Sequence, residues 1–162
     1  MKEACLQCDK SHCGWKVGVV AEREGVILAK SYNQTLKGEK YCQTGTCYRK
    51  ENNLSGGKEI EKVCSIHAEQ NLIANCAKNG VSLNGATLYI NVFPCYICAK
   101  SVIQAGFKKI YYMNDYAGNE ALTLFASNGV GVEKVEEGNV WKKFKAPNSK
   151  FKASSKLLNS KL

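Results

Sequence analysis

Two short clusters of metal-ligating side chains, each opening a predicted helix, constrain the fold of this chain more than any other feature. The first is His67-Ala68-Glu69, and the second, Pro94-Cys95-Tyr96-Ile97-Cys98, begins 25 positions after Glu69. Apolar residues at helical spacing follow both clusters, and a glycine ends each stretch, which predicts helices over residues 67–79 and 95–105. Residues 87–92 predict a strand between them. The two helix starts can therefore supply ligands to one metal ion.

The remaining periodicity predicts an α/β fold. Residues 17–21 and 26–29 are β-branched runs on either side of Gly25, which predicts an antiparallel hairpin. Residues 109–113 and 130–135 predict strands that flank a helix over residues 119–128. This alternation predicts a three-layer α/β/α sandwich around a mixed five-stranded sheet that begins with the N-terminal antiparallel hairpin.

Length and composition are those of one globular domain. The chain has 162 residues, of which 44% are hydrophobic and 23% charged. No apolar run approaches the roughly 18 residues of a membrane span, and the first ten residues lack the apolar stretch of a signal peptide. We therefore expect a cytoplasmic protein with no membrane partner. Nine cysteines, an odd number, favour metal ligands or catalytic thiols over a disulfide framework.

The basic charge lies at the C-terminus. Residues 1–137, the expected domain, hold sixteen basic and fourteen acidic residues, whereas residues 138–162 hold seven lysines and no acid. This basic tail is interpreted either as a contact with nucleic acid phosphates or as a solvated terminus. The nearly neutral domain argues against a dedicated nucleic-acid binder.

The donor atoms of the two clusters are those of a catalytic zinc site. Such sites use three nitrogen or sulfur ligands and keep one position for water. Cys95 and Cys98 are three positions apart and share a helix face, and His67 supplies the third ligand. Glu69 is predicted to take the proton of the zinc-activated water and to pass it to the substrate ring nitrogen and the departing ammonia. This arrangement is the signature of zinc-dependent nucleobase deaminases.

At these residues the chain resembles the deoxycytidylate (dCMP) deaminase family of the cytidine deaminase superfamily. The resemblance spans about residues 12–136 and includes CSIHAEQN at residues 64–71 and ATLYINVFPCYICAK at residues 86–100. It implies a cytidine deaminase-like fold, a homo-oligomer, and zinc-dependent conversion of dCMP, a small pyrimidine deoxynucleotide, to dUMP. The family's catalytic and substrate-binding residues fall on His67, Glu69, Cys95, Cys98, Asn33 and Ala68.

The resemblance also implies a second, structural zinc, held by the N-terminal region and by an insertion at residues 33–64. The ligands of that site fall on His12, Cys42, Cys47 and Cys64, a closed set of one imidazole and three thiolates. Cys13, or the pair Cys5 and Cys8, could replace His12, and these thiols could also be without a metal.

Two further interpretations stay open. One is a tRNA adenosine deaminase that uses the basic tail, and the other is a non-catalytic zinc-binding accessory module. Glu69 favours an enzyme, because only the reaction needs a carboxylate there. Magnesium is expected only together with a nucleotide effector, and regulation by dCTP or dTTP is left open because Ser31 and Gln34 replace two glycines of the family's effector-binding stretch.

Overall fold

Helices and strands alternate along the part of the chain that the structure describes. The computed structural model describes residues 1–39, 46–54, 59, 63–116 and 120–136. In chain order the elements are α1 (Lys2–Cys8), β1 (Gly18–Arg23), β2 (Val26–Tyr32), β3 (Gln34–Thr35), α2 (Tyr48–Glu51), β4 (Ser65–Ile66), α3 (Ala68–Lys78), β5 (Thr87–Val92), α4 (Tyr96–Gln104), β6 (Lys109–Asn114), α5 (Glu120–Ser127) and β7 (Gly131–Lys134).

A mixed five-stranded sheet carries the fold, as the sequence predicts. Its strand order is β2-β1-β5-β6-β7. The strand β1 pairs antiparallel with both β2 and β5, whereas β6 pairs parallel with β5 and with β7. Glu24 and Gly25 both have positive φ in the β1–β2 turn, which matches the twist of a tight hairpin.

Three helices cover one face of this sheet. The strand residues on that face alternate with residues on the other, and they form one core with α3, α4 and α5. The largest fully buried side chains of this core include Leu72, Leu88, Ile110, Phe107 and Phe125. Because α3 and α4 also pack against each other, the core fixes where both helices begin.

The opposite face of the sheet holds a helix that the sequence analysis does not predict. The helix α1 packs on β1, β2 and β5, where Met1, Ala4, Val20 and Val135 form a second, smaller core. The approach is close, because a Cβ at Gly18 would lie 2.1 Å from the carbonyl oxygen of Ala4. This helix is the third layer of the predicted sandwich.

The insertion contains short elements that its sequence does not reveal. We expect residues 33–63 to lack regular structure, but β3 and the one-turn helix α2 lie within them. The strands β3 and β4 pair antiparallel, with Gln34 opposite Ile66 and Thr35 opposite Ser65. This pairing holds both ends of the insertion together immediately before His67.

The predicted boundary between the domain and its tail remains a prediction. The tail at residues 138–162 lies outside the described residues, so the boundary at residue 137 is not tested. Among the described helices, none is long and apolar enough to cross a membrane.

The close contact between α1 and β1 makes a stability prediction. We expect Gly18→Ala to lower the free energy of unfolding by about 1–3 kcal/mol, because its Cβ would overlap backbone atoms of Ala4 and Cys8. Urea unfolding measures this loss. The matched control is Gly14→Ala, whose Cβ would meet nothing within 4 Å. Equal stability of the two variants would contradict the observed packing of α1.

Candidate metal centre and active site

The first residues of α3 and α4 meet and form the candidate site. His67 is the N-cap residue of α3, and Cys95 is the N-cap residue of α4. Both have extended backbone conformations, with φ near −67° and ψ above 150°. Pro94 is fully buried and directs the chain from β5 into α4. The two helix starts bring His67, Cys95 and Cys98 together, and their ligand atoms all lie within 4.8 Å of one another.

The spacing of these ligand atoms fits a tetrahedral zinc ion. The Nδ1 atom of His67 lies 3.6 Å from the Sγ atom of Cys95 and 3.4 Å from the Sγ atom of Cys98. Two ligands bound at ordinary zinc–nitrogen and zinc–sulfur distances with tetrahedral angles would be about 3.6 Å apart. The three residues therefore fit zinc in donor type and in separation, and a fourth position remains for water.

The two thiols and the imidazole of the group act on one another's pKa. A hydrogen bond from Cys98 lowers the pKa of Cys95 to about 4, and the same contact raises the pKa of Cys98. The hydrogen bond with Cys95 is also the main cause that raises the pKa of His67. Because zinc takes cysteine as the thiolate, zinc binding is coupled to the release of thiol protons.

A buried carboxyl group lies beside the three ligands. Glu69 is in the first turn of α3, and only 4% of its surface is exposed. Burial raises the pKa of Glu69 to about 7, although the neighbouring His67 acts in the opposite direction. The thiol of Cys98 is among the groups that act on the pKa of this carboxyl group. A carboxyl group with this pKa can both accept and release a proton near neutral pH.

A cleft of about 340 Å³ opens next to His67. This volume is in the range of sites for small molecules. Its lining combines apolar side chains from the insertion and α4 with a few polar groups: Leu36, Val63, Cys64, Ser65, Ile66, His67, Gln70 and Ile97. Leu36 and Ile97 are 65% and 41% exposed, so they form the open rim of the cleft.

Two residues near the site were missed by the sequence analysis. Tyr116 follows β6, and burial raises the pKa of its phenol, with further contributions from Cys95, Cys98 and Glu69. Arg49 is in α2 of the insertion, and its positive charge acts on both Tyr116 and His67. Neither residue belongs to a periodic pattern, and no local signal in the sequence distinguishes them from other tyrosines and arginines.

The two predicted substrate-binding residues are buried in the framework of the site. The side-chain amide of Asn33 donates to the carbonyl of Trp15 at 2.8 Å and accepts from the amide of Val17 at 2.8 Å. This side chain therefore holds the chain segment that enters β1. Ala68 is fully buried at the start of α3. A contact of either residue with substrate stays a prediction.

The predicted second zinc site is only partly within the described residues. Cys42 lies outside them. Cys47 is the N-cap residue of α2, and Cys64 lines the cleft. His12 is exposed and does not form a group with Cys47 and Cys64 in which all ligand atoms lie within 4.8 Å. The second site therefore stays a prediction.

The geometry of the three-ligand group makes a prediction about metal content. We expect Cys98→Ala to lose one equivalent of tightly bound zinc per chain relative to the unmodified protein, because two ligands cannot hold the ion as firmly as three. Elemental analysis after dialysis measures this difference. Cys76→Ala is the control, since Cys76 is buried in the core away from the group. Unchanged zinc content in Cys98→Ala would contradict the assignment.

The proteins to which this chain is similar include deoxycytidylate deaminases. The ComE operon protein 2 of Bacillus subtilis is 38% identical over 74% of this chain and 60% of its own length. The deoxycytidylate deaminase of Enterobacteria phage T2 is 32% identical over 67% of this chain and 73% of its own length. The crystal structure of dCMP deaminase from the cyanophage S-TIM5 in complex with dCMP and dUMP matches with a TM-score of 0.68 and 32% identity, over 83% of this chain and 92% of that chain.

The shared region is the zinc-binding part of the family. This chain spans 60% of the ComE operon protein and 36% of the deoxycytidylate deaminase of Schizosaccharomyces pombe. The model of the cytidine and deoxycytidylate deaminase zinc-binding region matches residues 1–114, which include all three ligands and Glu69. The chain belongs to the cytidine and deoxycytidylate deaminase zinc-binding family.

Proposed function

We propose that this chain catalyses the hydrolytic deamination of dCMP, in which water replaces the exocyclic amine of the base and gives dUMP and ammonia. The observation that carries this proposal is the buried carboxyl group of Glu69, two residues from His67 in the group formed by His67, Cys95 and Cys98. The named relatives support deoxycytidylate as the substrate.

His67, Cys95 and Cys98 are the residues that would hold the zinc ion. When bound there, zinc supplies Lewis acidity that makes water a nucleophile at neutral pH. The N-cap positions of His67 and Cys95 fix two of these ligands on rigid helix starts. The positive ends of the helix dipoles also favour the thiolate forms. The ligand side chains thus have the orientation and the negative charge that zinc binding requires before the substrate binds.

Glu69 moves the proton that the reaction requires. Its carboxylate accepts a proton from the attacking water and delivers it to the ring nitrogen of the base. It then takes the second proton from the hydroxyl group that water has added to the ring carbon and passes it to the amine. The carbon–nitrogen bond breaks as the carbonyl of dUMP forms, and the amine leaves as ammonia. Because burial raises its pKa to about 7, the carboxyl group changes its protonation state at little cost near neutral pH.

The first experiment compares the unmodified protein with Glu69→Gln, both loaded with zinc. We expect kcat for dCMP to fall by about 10²- to 10⁴-fold, because the amide cannot accept and return the proton. Mass spectrometry of the products measures dUMP, and elemental analysis checks that the variant retains zinc. Conversion of dCMP by both proteins at equal rates would show that Glu69 is not the proton carrier.

The same assay separates this proposal from its alternatives. The substrates are dCMP, dCTP, deoxycytidine and cytidine monophosphate, followed by RNA adenosine. Absence of turnover for every pyrimidine by a zinc-loaded protein would overturn the proposal. Conversion of RNA adenosine would then identify an RNA deaminase, and inactivity toward all substrates would favour a zinc-binding accessory module.

We further propose the second, structural zinc. The pairing of β3 with β4 supports it, because it holds the start of the insertion beside Ser65, the neighbour of Cys64. We expect Cys64→Ala to lose one zinc per chain and to retain the catalytic one, whereas Cys76→Ala keeps the full content. A zinc content of one per chain in the unmodified protein would contradict the second site.

Other expectations rest on the family resemblance. We propose that the protein is a homo-oligomer located in the cytoplasm, that nucleic acid is not its partner, and that magnesium binds only with a nucleotide effector. We also propose a single catalytic domain over residues 1–137 with a basic tail at residues 138–162. Its support is that helices pack on both faces of one sheet, with α3, α4 and α5 on one face and α1 on the other.

A further inference from the structure

The two halves of the candidate metal centre are attached to the five-stranded sheet in different ways. Cys95 follows β5, the central strand, through the buried residues Phe93 and Pro94. The amide of Phe93 also donates to the carbonyl of Asn114 on β6 at 2.8 Å. His67 instead follows β4, which pairs with β3 in a separate two-stranded sheet. The start of α3 therefore needs another connection to the strands that carry the core.

The side chain of Asn71 provides this connection. Its amide nitrogen Nδ2 donates to the carbonyl of Tyr32, the last residue of β2, at 2.9 Å. The oxygen Oδ1 of the same group accepts from the side-chain amide of Asn75 at 3.1 Å, so both ends of the group have partners. Only 7% of the Asn71 surface is exposed. The bond to Tyr32 is thus a buried polar contact between α3 and the sheet.

Asn71 also closes the turn that contains His67 and Glu69. Its backbone amide donates to the carbonyl of His67 at 2.9 Å. The carbonyl of an N-cap residue accepts the first hydrogen bond within its helix, and this contact is that bond in α3. Two consecutive hydrogen bonds therefore connect β2 to His67, one through the side chain of Asn71 and one through its backbone. Glu69 lies inside the turn that the second bond closes.

The residue type at position 71 supports the same role. Asparagine is a weak helix former, because its side chain competes for backbone hydrogen bonds. A buried amide group also loses its contacts with water, which hydrogen bonds within the protein must replace. Leu72 and Ala68 are buried on the same helix without either cost. The one advantage of asparagine over an apolar residue at this position is a directed polar contact.

A directed contact is what the placement of α3 requires. Apolar packing holds Ala68 and Leu72 in the core, but the burial of apolar surface is not directional and tolerates a small slide or rotation of the helix. A hydrogen bond has a narrow range of lengths and angles. A displacement of about 1 Å can lower a reaction rate about 10²-fold. The bond to Tyr32 therefore has the precision that the alignment of His67 and Glu69 needs.

We propose that Asn71 is a positioning residue of the site. Through its hydrogen bond to Tyr32, it sets where His67 binds the zinc ion. It sets the place of the Glu69 carboxyl group beside the substrate in the same way, and this part rests on the proposed function. Outer contacts of this kind orient the ligands of metal sites, and their loss commonly lowers metal affinity or activity by about 10- to 100-fold.

The experiment measures the zinc dissociation constant by competition with a chelator, and then kcat and KM for dCMP with each protein saturated by zinc. The test variants are Asn71→Leu, which keeps the size of the side chain and removes both of its hydrogen bonds, and the smaller Asn71→Ala. Asn75→Ala is the control on the same helix, since it leaves the bond to Tyr32 in place. Ile73→Ala is the control for stability, because Ile73 packs against the core from α3. Thermal unfolding measures the stability of every variant.

We expect both Asn71 variants to raise the zinc dissociation constant at least about tenfold and to lower kcat at least about tenfold, with KM within about twofold. Asn75→Ala and Ile73→Ala should leave the zinc constant and kcat within about twofold, although Ile73→Ala lowers the unfolding temperature. An unchanged zinc dissociation constant in either folded Asn71 variant overturns the inference. An equal rise in Ile73→Ala also overturns it, because the effect would then follow from lost stability alone.

The zinc measurement separates this inference from the proposed function. If the unmodified protein deaminates no substrate but Asn71→Leu binds zinc more weakly, the proposed reaction is wrong and Asn71 still positions His67. If the unmodified protein deaminates dCMP and Asn71→Leu binds zinc equally well, the proposed reaction stands and the inference is wrong.

Discussion

The packing of α3 against α4 is the contact on which the rest of the site depends. His67 and Cys95 are the N-cap residues of these helices, so the distance between their ligand atoms follows from where the helices begin. Leu72 and Val102, both fully buried, belong to the core beneath the two helices. The same packing excludes water from Glu69 in the first turn of α3. The metal geometry and the pKa of the carboxyl group therefore have a common cause in the core.

The sequence predicts those elements whose side chains repeat with a regular period. The helices α3 and α4 and the strand β5 lie within one residue of their predicted bounds, because glycine, proline and apolar spacing mark their ends. The helix α1 has seven residues, and its contact with the backbone of β1 at Gly18 depends on atoms far apart in sequence. The one-turn helix α2 is too short to show a period. Tertiary contacts with the sheet, rather than local propensity, stabilise α1.

Within the site, too, the sequence predicts the residues that have a regular spacing and misses those that do not. The ligands and Glu69 have fixed spacing at two helix starts, so their residue types alone indicate metal chemistry. Tyr116 and Arg49 lie in segments without periodicity, so only the folded chain reveals that their charges and those of the site act on one another. Asn33 illustrates a further limit. The family resemblance assigns it to substrate, but both ends of its side-chain amide are bonded to the segment before β1.

The two-residue ladder between β3 and β4 has a consequence for how this architecture can vary. Because the ladder already brings the ends of the insertion together, the chain between them is a closed loop whose length is largely decoupled from the metal centre. Each doubling of the length of a flexible loop adds only about 0.6 kcal/mol to the entropy cost of closure. Insertions of very different size can thus be exchanged at this position while His67 stays in place, so the wall of the cleft can change without a change in the metal ligands.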